Sequence, residues 1–280
     1  MSVNANGNLL AKPARDSAIY EFGAEPVALS ATPEVLVALR AIFRPQFLRP
    51  PASPTTTVAA YAGHDGWKLE VDGSFVRGLG HSTPIPRVAE EVVAASCAAV
   101  AKKTSSILLS GAILAKDGVT IALVGDDLDS AKVLGLHLHA RGWAAVTFGY
   151  GFLSRATLDI VGLRALASMS STSIDQIPAR YRAAVEGSLW YYSGFDLTFY
   201  TVDPLHISSS SLAASTLTHV VIVDGAIEDR PALITDFDDA DTGQLRVHPM
   251  IQSICIASLI LGTPIASCGA IEQWALGSPV

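Results

Sequence analysis

Apolar residues recur at helical spacing over Glu34–Phe43 (EVLVALRAIF), and the proline-rich stretch Arg49–Pro54 closes that unit. From Thr55 to Leu79 the pattern switches to alternation of apolar and polar positions. Breaks at Gly63–Gly66 and Asp72–Gly73 predict hairpins there. Pro86–Lys103 is rich in Ala and Val and reads as a helix. Ser106–Leu114 and Val119–Val124 read as strands joined by Lys116-Asp117-Gly118, because Asp-Gly supplies the positive φ angles of a tight hairpin turn. Ser130–Ala140 is then helical, Arg141-Gly142 suits its C-terminus, and Trp143–Phe148 is a strand. Further along, Ser168–Ser173 reads as a Ser/Thr loop, Ile174–Glu186 as a short helix and Phe195–Val202 and His219–Val223 as strands. Val247–Leu261 reads as a C-terminal helix, and residues 1–18 as a loose arm. Helices interleaved with strands predict an α/β fold with a mixed sheet and flanking helices. No internal repeat interrupts the pattern.

Composition narrows the function classes. The chain has 280 residues, enough for one large domain or two small ones. Half of it is hydrophobic and 16% is charged, below the roughly 25% of ordinary soluble domains. That balance favours compact, buried elements. A formal charge of −7 and scattered single Lys and Arg residues argue against nucleic acid or an anionic membrane surface as partner. The longest apolar runs, Val92–Ala101 and Ile254–Leu261, fall short of the roughly 20 residues a spanning helix needs. The start, MSVNANGNLLAKPARDS, lacks the apolar core of a signal peptide. Cys97, Cys255 and Cys268 are odd in number, widely spaced and set among apolar or small residues. They are expected to be buried, unpaired thiols of a cytoplasmic protein. Neither CxxC nor HExxH occurs, so no cysteine zinc site is expected.

The segment LVGDDLDSAKVLGLHLHARGW, Leu123–Trp143, carries the candidate chemistry. An apolar strand runs into a glycine, a short loop follows and a helix opens. That is the outline of a phosphate-binding loop, but Asp126, Asp127 and Asp129 stand where phosphate oxygens would be cradled.

Ser106–Phe148 resembles the HPr kinase/phosphorylase family and its relatives of phosphoenolpyruvate-carboxykinase-like fold, whose pattern has the form HAA…DG…GxSGxGKST…RGW…DD. The matching stretches are Ser110-Gly111-Ala112, Asp117-Gly118, Gly125 to Val133, and Arg141-Gly142-Trp143. The step from Gly125 to Gly142 keeps the family's spacing, and the resemblance covers about residues 60–280. It implies a core like the family's C-terminal P-loop domain over residues 86–280, preceded by a small N-terminal α/β region over 1–85. The departures fall on the chemistry. The family's phosphate-binding Lys aligns with Ala131, its Mg-binding hydroxyl with Lys132, its loop glycines with Leu128 and Ser130 and its early His with Ser110. Its acidic pair aligns near Phe148-Gly149. Leu128 resists the positive-φ turns of a cradle, and the aspartates occupy the positive end of the helix and repel a triphosphate. The resemblance therefore implies a degenerate P-loop in which ordinary ATP binding is lost.

Two roles remain open for Asp126, Asp127 and Asp129. Asp129 is a good N-cap and its neighbours suit a helix first turn; alternatively they line the vacated pocket as acid/base or divalent-metal groups, since crowded carboxylates raise each other's pKa. Lys132 can swing into the same pocket or lie solvated on the helix. Candidate substrate-binding residues are Ser110 on the neighbouring strand, His81 on a Gly/Pro-flanked loop, Ser130, and Tyr150 within the GYGF segment Gly149–Phe152. His137 and His139 are two apart on a helix and face different sides, so they form no metal pair; one is expected in the core and the other exposed. DFDDAD at Asp236–Asp241 lacks the ligands of a calcium loop and reads as a solvated turn.

Three function classes follow. The first is a divergent enzyme of biosynthetic type that acts without phosphotransfer on a small molecule or peptide, using carboxylate acid/base chemistry in the former phosphate pocket. The second is a catalytically dead scaffold or peptide-binding pseudokinase. The third is an unorthodox small-molecule or peptide kinase. No cofactor is expected beyond a possible divalent metal, and a homo-oligomer remains open.

Overall fold

The computed structural model describes residues 16–22, 25–42, 53–125, 127–163, 167–185, 189–190, 199–202, 214–227, 232–234 and 254–277. The chain divides into two units, Met1–Val100 and Ala101–Val280. The division falls late in the helix Ile85–Thr104, and the boundary expected from the sequence lies at 85/86.

The first unit is built on a five-stranded sheet in the order β1-β2-β3-β4-β5: β1 (Asp16–Phe22), β2 (Glu25–Ala31), β3 (Thr56–Gly63), β4 (Gly66–Val71) and β5 (Ser74–Leu79). Strands β2 and β3 run parallel, with α1 (Pro33–Ile42) between them in sequence; the other pairs are antiparallel. Pro33 opens α1, where its missing N–H costs nothing. Val35, Leu36, Ala38 and Leu39 are buried, as are Tyr20, Phe22, Val27 and Leu29 of the strands that α1 packs on. The Asp72-Gly73 break is a hairpin turn as expected, with φ of 48° and 79°. Residues 16–18, expected in a loose arm, instead begin β1, because pairing with β2 satisfies their backbone groups. Helix α2 (Ile85–Thr104) follows, and Glu91 on it accepts from Arg77 of β5 at 2.6 Å.

The second unit holds a nine-stranded mixed sheet, which bears out the α/β, mixed-sheet reading. Its order is β14-β10-β9-β6-β7-β15-β17-β16, with β8 also paired to β6. The strands are β6 (Ile107–Lys116), β7 (Val119–Val124), β8 (Ala144–Thr147), β9 (Tyr150–Leu153), β10 (Asp159–Gly162), β14 (Ala214–Thr216), β15 (His219–Ile227), β16 (Ala232–Ile234) and β17 (Cys255–Leu261). Strands β7, β15 and β17 run parallel. Helix α3 (Leu128–Ala140) follows β7 and a last helix, α5 (Pro264–Leu276), follows β17. One apolar cluster, including Leu123, Leu134, Leu136, Trp143, Val221, Leu259 and Ile271, lies between the sheet and these two helices. The other face carries Leu109, Ile113, Ala122, Ile160 and Val220. A three-stranded sheet of β11 (Ala167–Ser170), β13 (Phe199–Val202) and β12 (Leu189–Trp190) adjoins a 3-10 helix, Ser171–Gln176, and α4 (Ala179–Val185).

Several expectations are corrected. The expected helix Val247–Leu261 is, over Cys255–Leu261, strand β17, and the helix lies at Pro264–Leu276; residues 247–253 lie outside the described residues. A strand buried in a parallel layer is apolar nearly throughout, so its hydrophobic run imitates a helix face. The true helix start is Thr263-Pro264, with the Thr263 hydroxyl accepting from Ala266 N–H, and the helix ends on Gly277 in the left-handed conformation. Ser168–Ser173 is strand and 3-10 helix, not loop. The expected helix Ile174–Glu186 is split ahead of Pro178, because proline disfavours helical geometry in the residue before it. The described part of the strand expected at Phe195–Val202 is β13, and Asp236–Asp241 lies outside the described residues. Among the described residues, no helix is long and apolar enough to cross a membrane.

Candidate functional site

Strand β7 ends at Val124 and the chain turns at Gly125, whose φ is +153°. A Cβ there would stand 2.3 Å from the Val223 carbonyl oxygen of β15, so only glycine lets the chain leave the sheet at this point. Helix α3 starts at Leu128, two residues before the expected Ser130, so residues 125–127 alone connect strand to helix. The cap is therefore Asp127, not Asp129. Its carboxylate accepts from Ser130 N–H at 3.1 Å and from the Ser130 hydroxyl at 2.5 Å, and its carbonyl accepts from Ala131 N–H at 3.2 Å. The Ser130 N–H and hydroxyl at this helix start are thus engaged by the protein's own carboxylate.

Beside this cap lies a cavity of about 260 Å³. Asp127, Asp129, Ser130, Val133 and Leu134 of the α3 side form one wall, Ser173 and Gln176 another, and Leu261, Gly262 and Pro264 a third. It sits at the carboxyl ends of β7 and β17, where parallel sheets with helical connections usually take their ligands. The starts of α3 and α5 both adjoin it. Asp129, in the first turn of α3, accepts from the Ser173 hydroxyl at 3.2 Å. Gly262 N–H is taken by the Ser267 hydroxyl at 3.0 Å, which sets the path of the chain from β17 into α5.

The 171–182 wall hangs on α3. Besides Ser173, the His137 Nε2 lies 2.7 Å from the Gln176 carbonyl oxygen, and the His139 Nδ1 pairs with the Tyr181 hydroxyl. Arg180 donates to the His139 carbonyl and the Tyr181 hydroxyl, each at 2.8 Å. Burial pushes the His137 pKa below its usual value, the Arg141 charge lowers it further, and the Gln176 carbonyl opposes the shift. His139 is buried, as expected of one of the pair, whereas His137 is half-buried rather than exposed.

Of the sequence candidates, the structure brings Asp127, Asp129 and Ser130 into the cavity wall. Asp126 lies outside the described residues. Lys132 is half-buried and does not line the cavity. Ser110 and Tyr150 are register partners across β6 and β9, away from the lining. His81 belongs to the first unit, its Nε2 2.6 Å from the His64 carbonyl oxygen. Ser173, Gln176, Gly262 and Pro264 were missed; the one sequence signal for them was the Thr-Pro helix start at 263–264. Cys97 and Cys268 are buried, with burial pushing the Cys97 thiol far up and the Cys268 thiol up to about 12. Cys255 is exposed, which corrects the expectation for it: it is the first residue of β17, where the strand end leaves the thiol open to solvent. Among the described residues, no group of three or more His, Cys, Asp or Glu could hold a metal ion.

Arg141-Gly142-Trp143 has a structural role. Arg141 caps the C-terminus of α3 and bonds Glu272 of α5 at 2.7 Å; fully buried Trp143 donates to Glu272 at 3.0 Å, and Lys116 approaches it at 3.4 Å.

No protein-family model matches the chain, and no curated protein matches it. Among solved structures, the HPr(Ser) kinase/phosphatase from Coxiella burnetii aligns over 61% of this chain and 99% of its own, with a TM-score of 0.33 and 11% identity. That is a distant structural relationship and assigns no family.

Proposed function

We propose that the second unit binds a small molecule or a peptide side chain in the cavity between the starts of α3 and α5, and acts on it without phosphotransfer. The observation that carries this reading is the closure of the α3 N-terminus by Asp127, next to a cavity with Asp129 in its wall. A carboxylate already bonded to Ser130 N–H and Oγ takes two donors from a triphosphate and repels its charge. Asp127 is committed to its cap, so Asp129 is the residue to give or take a proton, with the Ser173 hydroxyl orienting it. A scaffold role is the alternative outcome of the same test.

The test is a thermal-shift screen of the whole chain against Mg-ATP, pyrophosphate, divalent cations and a small-molecule and peptide library, since a ligand of the folded state raises the melting temperature. Mg-ATP at millimolar concentration is expected to leave the melt unchanged; a dissociation constant below about 100 μM, some 5 kcal/mol of binding, sinks the reading. Once a turned-over ligand is found, Asp129→Asn is expected to lower turnover on the order of a hundredfold while the melt barely moves. Full activity in that variant leaves binding alone.

A further inference from the structure

We propose that Cys255 and His219 form a thiol–imidazole pair that undergoes exchange with low-molecular-weight disulfides at the amino ends of β15 and β17. This site lies at the opposite end of the parallel strands from the cavity and uses none of its residues. The two strands pair in parallel register with His219 directly beside Cys255. Side chains alternate along each strand, and Val221, Val223, Leu259 and Leu261 all belong to the apolar cluster under α3 and α5. His219 and Cys255 therefore share that face, on strands about 4.8 Å apart. Cys255 N–H donates to the Thr218 carbonyl at 3.0 Å, which seats this register at its first rung. Of the three thiols, the one at Cys255 is exposed.

The imidazole is held as a base. Thr218 donates its one hydroxyl hydrogen to the Thr120 carbonyl at 2.9 Å and accepts from Thr120 N–H at 2.9 Å. With that hydrogen on the Thr120 carbonyl, the Thr218 oxygen accepts from the His219 Nδ1, 2.8 Å away. This assigns the Nδ1–H tautomer, which leaves the lone pair on Nε2. Trp274 of α5 stands edge-on to the ring at 4.8 Å and fixes its plane. Burial lowers the His219 pKa, so the ring is neutral at pH 7 and ready to accept. A nucleophile, a base beside it and a third group orienting the base is the arrangement that activates a thiol. No hydrogen bond joins Sγ to Nε2 in this structure, and the pairing rests on the strand register that sets the two residues side by side.

In the exchange, Nε2 takes the Cys255 proton and the thiolate attacks one sulfur of R–S–S–R. A new S–S bond forms to Cys255 as the R–S–S–R bond breaks. The leaving thiolate takes the proton from Nε2 and departs as R–SH. Cys255 is oxidised to a mixed disulfide, one R–S group is reduced, and the small disulfide is itself the oxidant.

The experiment incubates the full chain with oxidised glutathione at pH 7 and locates adducts by peptide mass spectrometry over time. Glutathione is expected on Cys255 and not on Cys97 or Cys268, at a rate at least about tenfold above that of Cys255 in the urea-unfolded chain. His219→Gln is expected to remove about tenfold of the native rate, and Thr218→Val, which frees the tautomer, a smaller part. A native rate equal to or below the unfolded rate overturns the pair, and so does a folded His219→Gln variant that reacts within about twofold of the original. If His219→Gln does not fold, the native-to-unfolded ratio of the unaltered chain decides.

Discussion

The two ends of α3 differ in how they hold charge. At its N-terminus, Asp127 is bonded within its own helix turn, and Asp129 reaches Ser173 across an open cavity. At its C-terminus, Arg141, Trp143 and Lys116 converge on one carboxylate, Glu272, which belongs to α5 and is mostly buried. The first end is locally satisfied and leaves room for a ligand. The second spans the sequence from residue 116 to 272 and ties elements together. Two parts of one motif-like stretch thus differ: its Arg-Gly-Trp part acts in packing, while its loop part borders a cavity.

The largest expected effect tests the packing end. Trp143→Ala removes a fully buried indole and should cost about 3–5 kcal/mol in denaturant unfolding. Glu272→Ala strands Trp143 Nε1 and the two cations; because Arg141 and Lys116 are partly exposed and water screens them, the cost should be nearer 2 kcal/mol. Losses under about half of one kcal/mol in both would erase the contrast between the two ends.

A smaller effect is expected at the other end. Asp127→Ala should destabilise by about 1 kcal/mol, whereas Asp127→Asn should stay within a few tenths, because Asn caps as well as Asp. If Asp127→Asn instead abolishes ligand binding in the cavity with an unchanged melt, the cap is also part of the site, and the division of labour with Asp129 fails.

The smallest effect concerns the wall that hangs on α3. The folded pKa of His137 lies below its unfolded value near 6.5. The unfolded chain therefore binds more protons between the two values, and stability rises with pH in that window. The contribution is whole above pH 6.5 and is lost as pH falls through the folded pKa. Melts of His137→Gln between pH 7.5 and 5 should show a shallower acid decline than the original chain. An identical decline would place the acid sensitivity elsewhere.

Elements with their own local punctuation were legible in the sequence. The Asp-Gly turns, the strand–glycine–helix step at Val124–Leu128 and the long Ala/Val helix each carry a signal within a few residues. From residue 164 onward β13 and β15 were legible, but β11, the 171–185 helices and β17 were not, because those elements are defined by distant partners. Strand β17 is a strand through its pairing with β15, and β11 through its pairing with β13. Even the cap was misplaced by two residues, since three nearby aspartates are equivalent to a local rule and the positioning of Gly125 against Val223 decides among them.

Sequence alone thus determined the α/β class, the hairpin turns, the opening of a helix after Gly125 and the acidic character of that opening, because short-range sterics and capping chemistry set these. Tertiary structure decided which carboxylate caps and which faces the cavity, that Ser173 and Pro264 wall it, and that His219 lies beside Cys255. Those facts depend on strand register and helix docking between residues up to 156 positions apart, such as Lys116 and Glu272, and no local pattern encodes which distant partner arrives.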